Sequence, residues 1–117
     1  MAGELIPIRS ANGQEVLLTP HAWAQFRERA RLIYTGGDLD SEVLALDLLR
    51  RKAKRAGIKQ QRPGWLHRTR SLTHQLVTHG YLTLDRTVAF PIEVNDGRLI
   101  ATTCLVRGWD PPSGGRP

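Results

Sequence analysis

The chain has 117 residues, a single cysteine and no long apolar run. Cys104 cannot form an internal disulfide, which favours a cytoplasmic setting for the protein. No apolar stretch approaches the ~20 residues that a membrane-spanning helix needs, so we do not expect a membrane protein. The N-terminus has no cationic region followed by a long apolar one, and we therefore predict no signal peptide.

Sequence motifs that mark many enzyme and metal sites are also missing. The chain contains no glycine-rich phosphate loop, no CxxC or HxxxH spacing and no Gly-x-Ser-x-Gly motif. Carboxylates are sparse in the C-terminal half, which disfavours a nuclease that works with two metal ions. We predict neither a metal nor another cofactor.

Acidic residues are absent from one long segment, and the net positive charge of the protein is concentrated there. The formal net charge is +6. Between Leu48 and Leu84 there are nine Lys and Arg but neither Asp nor Glu, whereas the rest of the chain, with eight positive and eleven negative residues, sums to −3. A concentrated cationic segment favours a polyanionic partner, such as nucleic acid or an acidic protein.

The first part of the chain predicts a hairpin followed by a helix. Apolar residues flank the turn sequence Ser10-Ala11-Asn12-Gly13, in which Asn-Gly is a strong hairpin signal. Pro7 favours an edge strand because it cannot donate to a neighbouring strand. Thr19-Pro20 suits the start of a helix, which we expect to run to Tyr34. The predicted apolar stripe of this helix is Trp23, Phe26, Ala30 and Ile33.

A second helix is predicted from about Asp38 or Asp40 to Ala56, where Gly57 would stop it. Its predicted buried face consists of Leu39, Val43, Leu46, Leu49 and Ala53. The connector, residues 58–71, has no clear period and is predicted to be a loop. Strands are predicted within 74–84, at 88–94 and at 99–106, and a tight turn is predicted at residues 95–98.

These elements predict the α+β class. We expect an N-terminal β-hairpin, two helices and then a three-stranded antiparallel sheet, with the helices packed on one face of the sheet. One domain is predicted over residues 1–108, and a disordered tail rich in proline and glycine over residues 109–117.

His21 and two arginines of the first helix are the candidate catalytic residues. Metal-independent RNA cleavage needs a base, an acid and a cation beside the phosphate. His21 lies where the helix dipole disfavours imidazolium, so it could act as a neutral base or simply solvate the helix end. Arg27 could hold a phosphate, pair with Glu93 or cover Trp23. His21 and Arg27 lie about 120° apart around the helix, so they do not share a face.

The connector and the end of the second helix are the candidate binding surface. Cations there alternate with imidazoles and aromatic rings, which neutralise phosphates and stack on bases. The alternative is a solvated basic loop with a tryptophan in the core. Thr102 and Thr103, on the last strand, are candidate contacts on the sheet or simply good strand formers. The predicted binding residues are Arg50, Arg51, Lys54, Arg62, Trp65, His67, Arg68 and Arg70.

The pattern His21-Ala22-x-x-x-Phe26-x-x-Arg29, followed by antiparallel strands ending in Ile-Ala-Thr-Thr-Cys-Leu, resembles the RelE/barnase/colicin-like superfamily of small bacterial and phage-borne ribonucleases. The resemblance implies action on RNA by a toxin that an antitoxin masks. By this resemblance, the residues that correspond to the functional site of the superfamily are His21, Arg29 and Thr102 or Thr103. The usual Arg-Phe pair of that family is replaced here by Gln25-Phe26, with Arg27 directly after.

The leading hypothesis is therefore a small cytoplasmic RNA-binding protein, with metal-independent endoribonuclease activity of the toxin type as its catalytic form. The alternative hypothesis is a non-catalytic phage or bacterial protein that binds and inhibits a host protein or a nucleic-acid machine. The expected partners are RNA or another polyanion and an acidic antitoxin or host protein, and no membrane is expected.

Overall fold

A computed structural model describes residues 4–66 and 79–109. These ranges contain two α-helices, seven β-strands and two short 3-10 helices, at Ala30–Leu32 and Gly64–Leu66. The helices are α1 (Pro20–Arg29) and α2 (Glu42–Ala53). The strands are β1 (Ile6–Arg9), β2 (Glu15–Leu18), β3 (Ile58–Lys59), β4 (Gly80–Leu84), β5 (Val88–Asn95), β6 (Arg98–Ala101) and β7 (Leu105–Val106).

All seven strands belong to one curled, mixed sheet, with the order β1-β2-β6-β5-β4-β3 and with β7 also paired to β5. The prediction of a three-stranded antiparallel sheet is therefore wrong in strand number and in order. The N-terminal hairpin joins the sheet through a parallel pairing of β2 with β6, in which Val16 lies opposite Leu99. Local sequence patterns do not reveal such a pairing because its two strands lie at opposite ends of the chain.

The two predicted hairpin turns are confirmed. β1 and β2 are antiparallel neighbours, and Gly13 between them has φ 81°. β5 and β6 are joined by Asp96 and Gly97, with φ 54° and 76°, the conformation that Asp-Gly favours in two-residue hairpin turns. Pro7 lies on β1, at the edge of the sheet as expected.

The last part of the sheet contains a β-bulge. Ile92 of β5 lies opposite Ala101 of β6, and Ala89 lies opposite Leu105 of β7. Between these pairs, the three residues Thr102–Cys104 face only Phe90 and Pro91, so the predicted continuous strand 99–106 is interrupted. The extra residue bends the strand and leaves backbone groups of the bulge without partners in the sheet.

Helix α1 supplies those partners at Cys104. The side-chain oxygen of Gln25 accepts a hydrogen bond from the Cys104 amide at 2.9 Å, and the Arg29 guanidinium donates to the Cys104 carbonyl at 2.8 Å. Gln25 and Arg29 lie four residues apart on one helix face. The Arg29 guanidinium also lies 4.1 Å from the ring centre of Trp109, the first residue of the predicted tail. Residues 110–117 lie outside the described residues.

The core is a single cluster that joins both helices to one face of the sheet. At its centre, the rings of Phe26 and Phe90 lie 6.1 Å apart. Helix α1 begins as predicted, with the Thr19 hydroxyl accepting from the Ala22 amide, but it ends at Arg29 rather than at Tyr34. No helix within the described residues is long and apolar enough to cross a membrane.

Helix α2 confirms the predicted buried face only in part: Leu49 and Ala53 are buried as predicted, whereas Leu46 is only partly buried. The helix begins at Glu42, because the Ser41 hydroxyl accepts from the Leu44 amide and caps the first turn. Val43 is 77% exposed, against the prediction, and Leu39 is buried as predicted but lies in the loop before the helix. The fully buried residues of α2 are Ala45, Leu48, Leu49 and Ala53.

The short edge strand β3 lies unusually close to β4 at Gly80. A Cβ atom at this position would lie 3.0 Å from both the Lys59 carbonyl oxygen and a methyl carbon of Ile58. That separation is tighter than ordinary van der Waals contact, so any other residue would require the neighbouring strand to shift by a few tenths of an ångström.

We expect Gln25→Ala to lower the free energy of unfolding by about 1–3 kcal/mol, because it leaves the buried amide of Cys104 without an acceptor. Chemical denaturation measures this change. Glu28→Ala is the matched control, since Glu28 is an exposed residue of the same helix, and its effect should stay within about 0.5 kcal/mol. Equal effects of the two substitutions would contradict the stabilising role of Gln25.

Candidate functional site

A groove of about 510 Å³ lies where the end of α2, the connector, the β4–β5 turn and the residue after β7 meet. We call it the cationic groove. Trp65 and Thr83 contribute to its wall. The five cations that line it are Arg55, Lys59, Arg62, Arg86 and Arg107.

The charged residues described in the lining of the cationic groove are all positive. None of the described residues that line it is acidic. All five cations are exposed, and none of them makes a salt bridge within the described part of the chain. A concave surface with charges of one sign concentrates the potential and attracts counter-ions. The groove is therefore suited to an anionic ligand.

Three separate parts of the chain bring these cations together. Arg55 directly follows Lys54, the C-terminal cap of α2. Arg86 lies in the turn between β4 and β5. Arg107 is held beside that turn because its amide donates to the Thr87 carbonyl at 2.8 Å. The groove consequently exists only in the folded chain.

The β4–β5 turn places Arg86 in a strained backbone conformation. Asp85 and Arg86 have φ of 50° and 62°, and the Thr87 amide donates to the Leu84 carbonyl at 2.9 Å. Glycine and asparagine are the usual residues in such turns, and other residues lose about 1–2 kcal/mol in the left-handed region. The Trp65 indole N–H donates to the Arg86 carbonyl at 3.0 Å and helps to hold this conformation.

Asp85 connects the same turn to the helical layer. Its carboxylate accepts from the Tyr34 hydroxyl at 2.7 Å and lies 2.9 Å from the Lys52 ammonium. Partial burial opposes ionisation of Asp85, but the hydrogen bonds from Tyr34 and Lys52, together with the positive charges of Lys52 and Arg55, outweigh it and hold the pKa of this carboxyl below its ordinary value. Burial together with the Asp85 charge raises the pKa of Tyr34, which stays a neutral donor. Asp85 is thus already engaged by two donors.

Of the predicted binding residues, Arg62 and Trp65 line the cationic groove. Arg50 donates instead to the Pro7 carbonyl at 3.2 Å, and Arg51 pairs with Asp47 at 2.9 Å on the same helix. Lys54 caps α2 and is exposed. His67, Arg68 and Arg70 lie outside the described residues.

The predicted catalytic residues do not line the cationic groove. His21 is exposed in the first turn of α1. Arg27 donates to the Leu39 and Asp40 carbonyls at 3.2–3.4 Å, which fastens α1 to the following loop. Arg29 is the residue that holds the bulge. Both arginines therefore have structural partners in the backbone.

The strand residues named as candidate contacts are half-buried beside the bulge. The Thr102 hydroxyl donates to the Glu93 carboxylate at 3.3 Å, and within the described part of the chain no salt bridge joins Glu93 to Arg27. Thr103 lies next to Cys104, whose thiol has a pKa raised by burial. Neither threonine lines the cationic groove.

Four of the groove cations are not among the binding residues predicted from the sequence. Arg55 and Lys59 belong to the acid-free segment, so the charge count pointed to them without separating them from their neighbours. Arg86 and Arg107 lie outside that segment, and only the strand order places them beside it. No local signal in the sequence identifies Arg107.

The described residues contain no group of three His, Cys, Asp or Glu side chains that could hold a metal ion. Comparisons with protein-family models, with curated proteins and with solved structures found no match to this chain. The resemblance to the RelE/barnase/colicin-like ribonucleases therefore stays a prediction.

We expect Arg86→Gly to raise the free energy of unfolding by roughly 0.5 kcal/mol, since relief of the left-handed strain exceeds the added entropy of the unfolded chain. Chemical denaturation checks this. Asp96→Gly introduces glycine in the other hairpin turn, and its gain should be smaller because aspartate tolerates positive φ. If Arg86→Gly lowers the free energy of unfolding, and lowers it more than Asp96→Gly does, the turn is not strained at Arg86.

We expect Asp85 to make stability depend on acidic pH. Because its pKa is lower in the folded protein, its contribution is complete above the unfolded value of about 3.9 and disappears as the pH falls through the folded value. Asp85→Asn should remove this dependence, and at neutral pH it should cost at most about 1 kcal/mol since the pair is half-exposed. Denaturation at pH 7 and pH 2 measures both the stability and its dependence on pH. Tyr34→Phe should remove part of the pH dependence, since it removes one of the two donors to Asp85. An unchanged pH dependence of stability in Asp85→Asn would show that Asp85 is not its source.

Proposed function

We propose that this protein binds RNA and that the cationic groove is the binding site. The observation that carries the proposal is a concave surface of about 510 Å³ with five cations and no described acidic residue in its lining. Contacts with phosphates dominate the affinity of proteins for nucleic acids. The acid-free segment and the two distant arginines, Arg86 and Arg107, all contribute to this one surface.

Nucleic acid fits the cationic groove better than an acidic protein for two reasons. Four of the five cations are arginines, whose planar guanidinium groups bind phosphate through two parallel hydrogen bonds. The indole of Trp65 lies among them. Aromatic rings beside a positively charged groove are typical of proteins that bind single-stranded nucleic acids, because bases stack on the rings.

RNA cleavage and control by an antitoxin remain predictions. A metal-independent ribonuclease needs a group that removes the 2′-hydroxyl proton. The described lining of the cationic groove has no imidazole or carboxylate for this step. Cleavage would depend on His21, which the resemblance identifies and which lies apart from the groove. RNA binding is therefore the part of the hypothesis that the groove supports.

We expect Arg107→Glu to weaken RNA binding by about tenfold, or ~1.4 kcal/mol, because it places a negative charge where a phosphate contact is proposed. Fluorescence anisotropy with a labelled RNA oligonucleotide measures the dissociation constant at several salt concentrations. The slope of log K against log salt should fall by about 0.7 for each phosphate contact that is lost from a single strand.

Arg98→Glu is the matched control, because it makes the same change of charge at an exposed arginine outside the groove. It should leave the affinity within about twofold of the natural protein, since a distant exposed charge is screened by salt. Equal losses in the two variants would show that net charge, rather than the groove, controls binding. Displacement of RNA by polyglutamate at an equal charge concentration would favour an acidic protein partner instead.

A further inference from the structure

Trp65 is held as a rigid surface within the cationic groove. It lies in the 3-10 helix Gly64–Leu66, where Leu66 is buried and its amide donates to the Pro63 carbonyl at 3.0 Å. The indole N–H is fixed on the Arg86 carbonyl at 3.0 Å. The ring is only partly buried and contributes to the groove wall. Its orientation is therefore set before any ligand binds.

The shape of the cationic groove suits an unpaired nucleotide. Its volume of about 510 Å³ is that of a pocket for one small ligand. A base can stack on Trp65 only if one of its faces is free, and in a duplex both faces are covered by neighbouring bases. The phosphates on either side of a splayed base would lie near the arginines that surround the ring.

We propose that the cationic groove is a single-strand-specific site, in which one unstacked nucleotide places its base on Trp65 and its neighbouring phosphates bind Arg62, Arg86 and Arg107. This inference rests on the proposed RNA binding and adds the form of RNA that is bound. Duplex RNA would contact the same cations through its backbone but would not reach the indole.

Anisotropy measurements with an oligoadenylate, alone and annealed to oligouridylate, test the proposal on the full chain. The single strand should bind at least tenfold more tightly than the duplex at the same salt concentration. Trp65→Ala should weaken single-strand binding by about 5- to 150-fold, the range expected for the loss of one stacked base, and should weaken duplex binding much less. Trp65→Phe keeps an aromatic face and should retain most of the affinity.

Fluorescence gives a second readout that does not depend on the stability of Trp65→Ala. The chain has three tryptophans, so a protein carrying Trp23→Phe and Trp109→Phe reports on Trp65 alone. Single-stranded RNA should quench this fluorescence and duplex RNA should not.

Equal binding of single strand and duplex, with no quenching by either, would overturn the single-strand inference while RNA binding itself stands. The absence of binding to both forms would overturn the proposed function as well.

Discussion

The rest of the sheet depends on how helix α1 satisfies the buried backbone of Cys104. A buried amide or carbonyl without a partner is costly, and the bulge removes the partners that a neighbouring strand would provide. The Thr19 amide donates to the Ala101 carbonyl at 3.0 Å, so α1 begins where β2 and β6 end together. From that point the helix brings Gln25 and Arg29 to the bulge. The chain can then continue along β5 with its register shifted by one residue.

The shifted register also determines where the cations meet. β7 lies beside Val88, at the start of β5, and Arg107 follows it directly. Folding therefore brings like charges together at the groove, which opposes the stability of the unliganded protein. Because the C-terminal end of α2 carries partial negative charge, it offsets part of this repulsion near Arg55. An anion that binds only the folded chain would stabilise it further.

Local chemistry explains which elements could be predicted from the sequence. The turns at Asn12-Gly13 and Asp96-Gly97 and the helix start at Thr19-Pro20 depend on residues adjacent in the chain, and all three were predicted. The fold class was wrong because the parallel pairing of β2 with β6 depends on distant residues. The buried face of α2 was predicted only in part, with Leu49 and Ala53 buried but Val43 exposed, because the helical period fits two neighbouring stripes and tertiary packing selects one of them. The acid-free segment indicated the region of the candidate site, but Arg86 and Arg107 join it only through the tertiary structure.

The missing side chain at Gly80 has a consequence for the dimensions of the site. Lys59, whose carbonyl oxygen would contact a Cβ atom at position 80, also lines the groove. The carbonyl belongs to the backbone, so an added methyl group would require the edge strand, rather than a side chain alone, to shift by a few tenths of an ångström. The position of this edge strand, which contributes to the groove wall, therefore depends on a residue outside the groove lining. Substitution at this position would therefore change the position of the groove wall while leaving every charge in place.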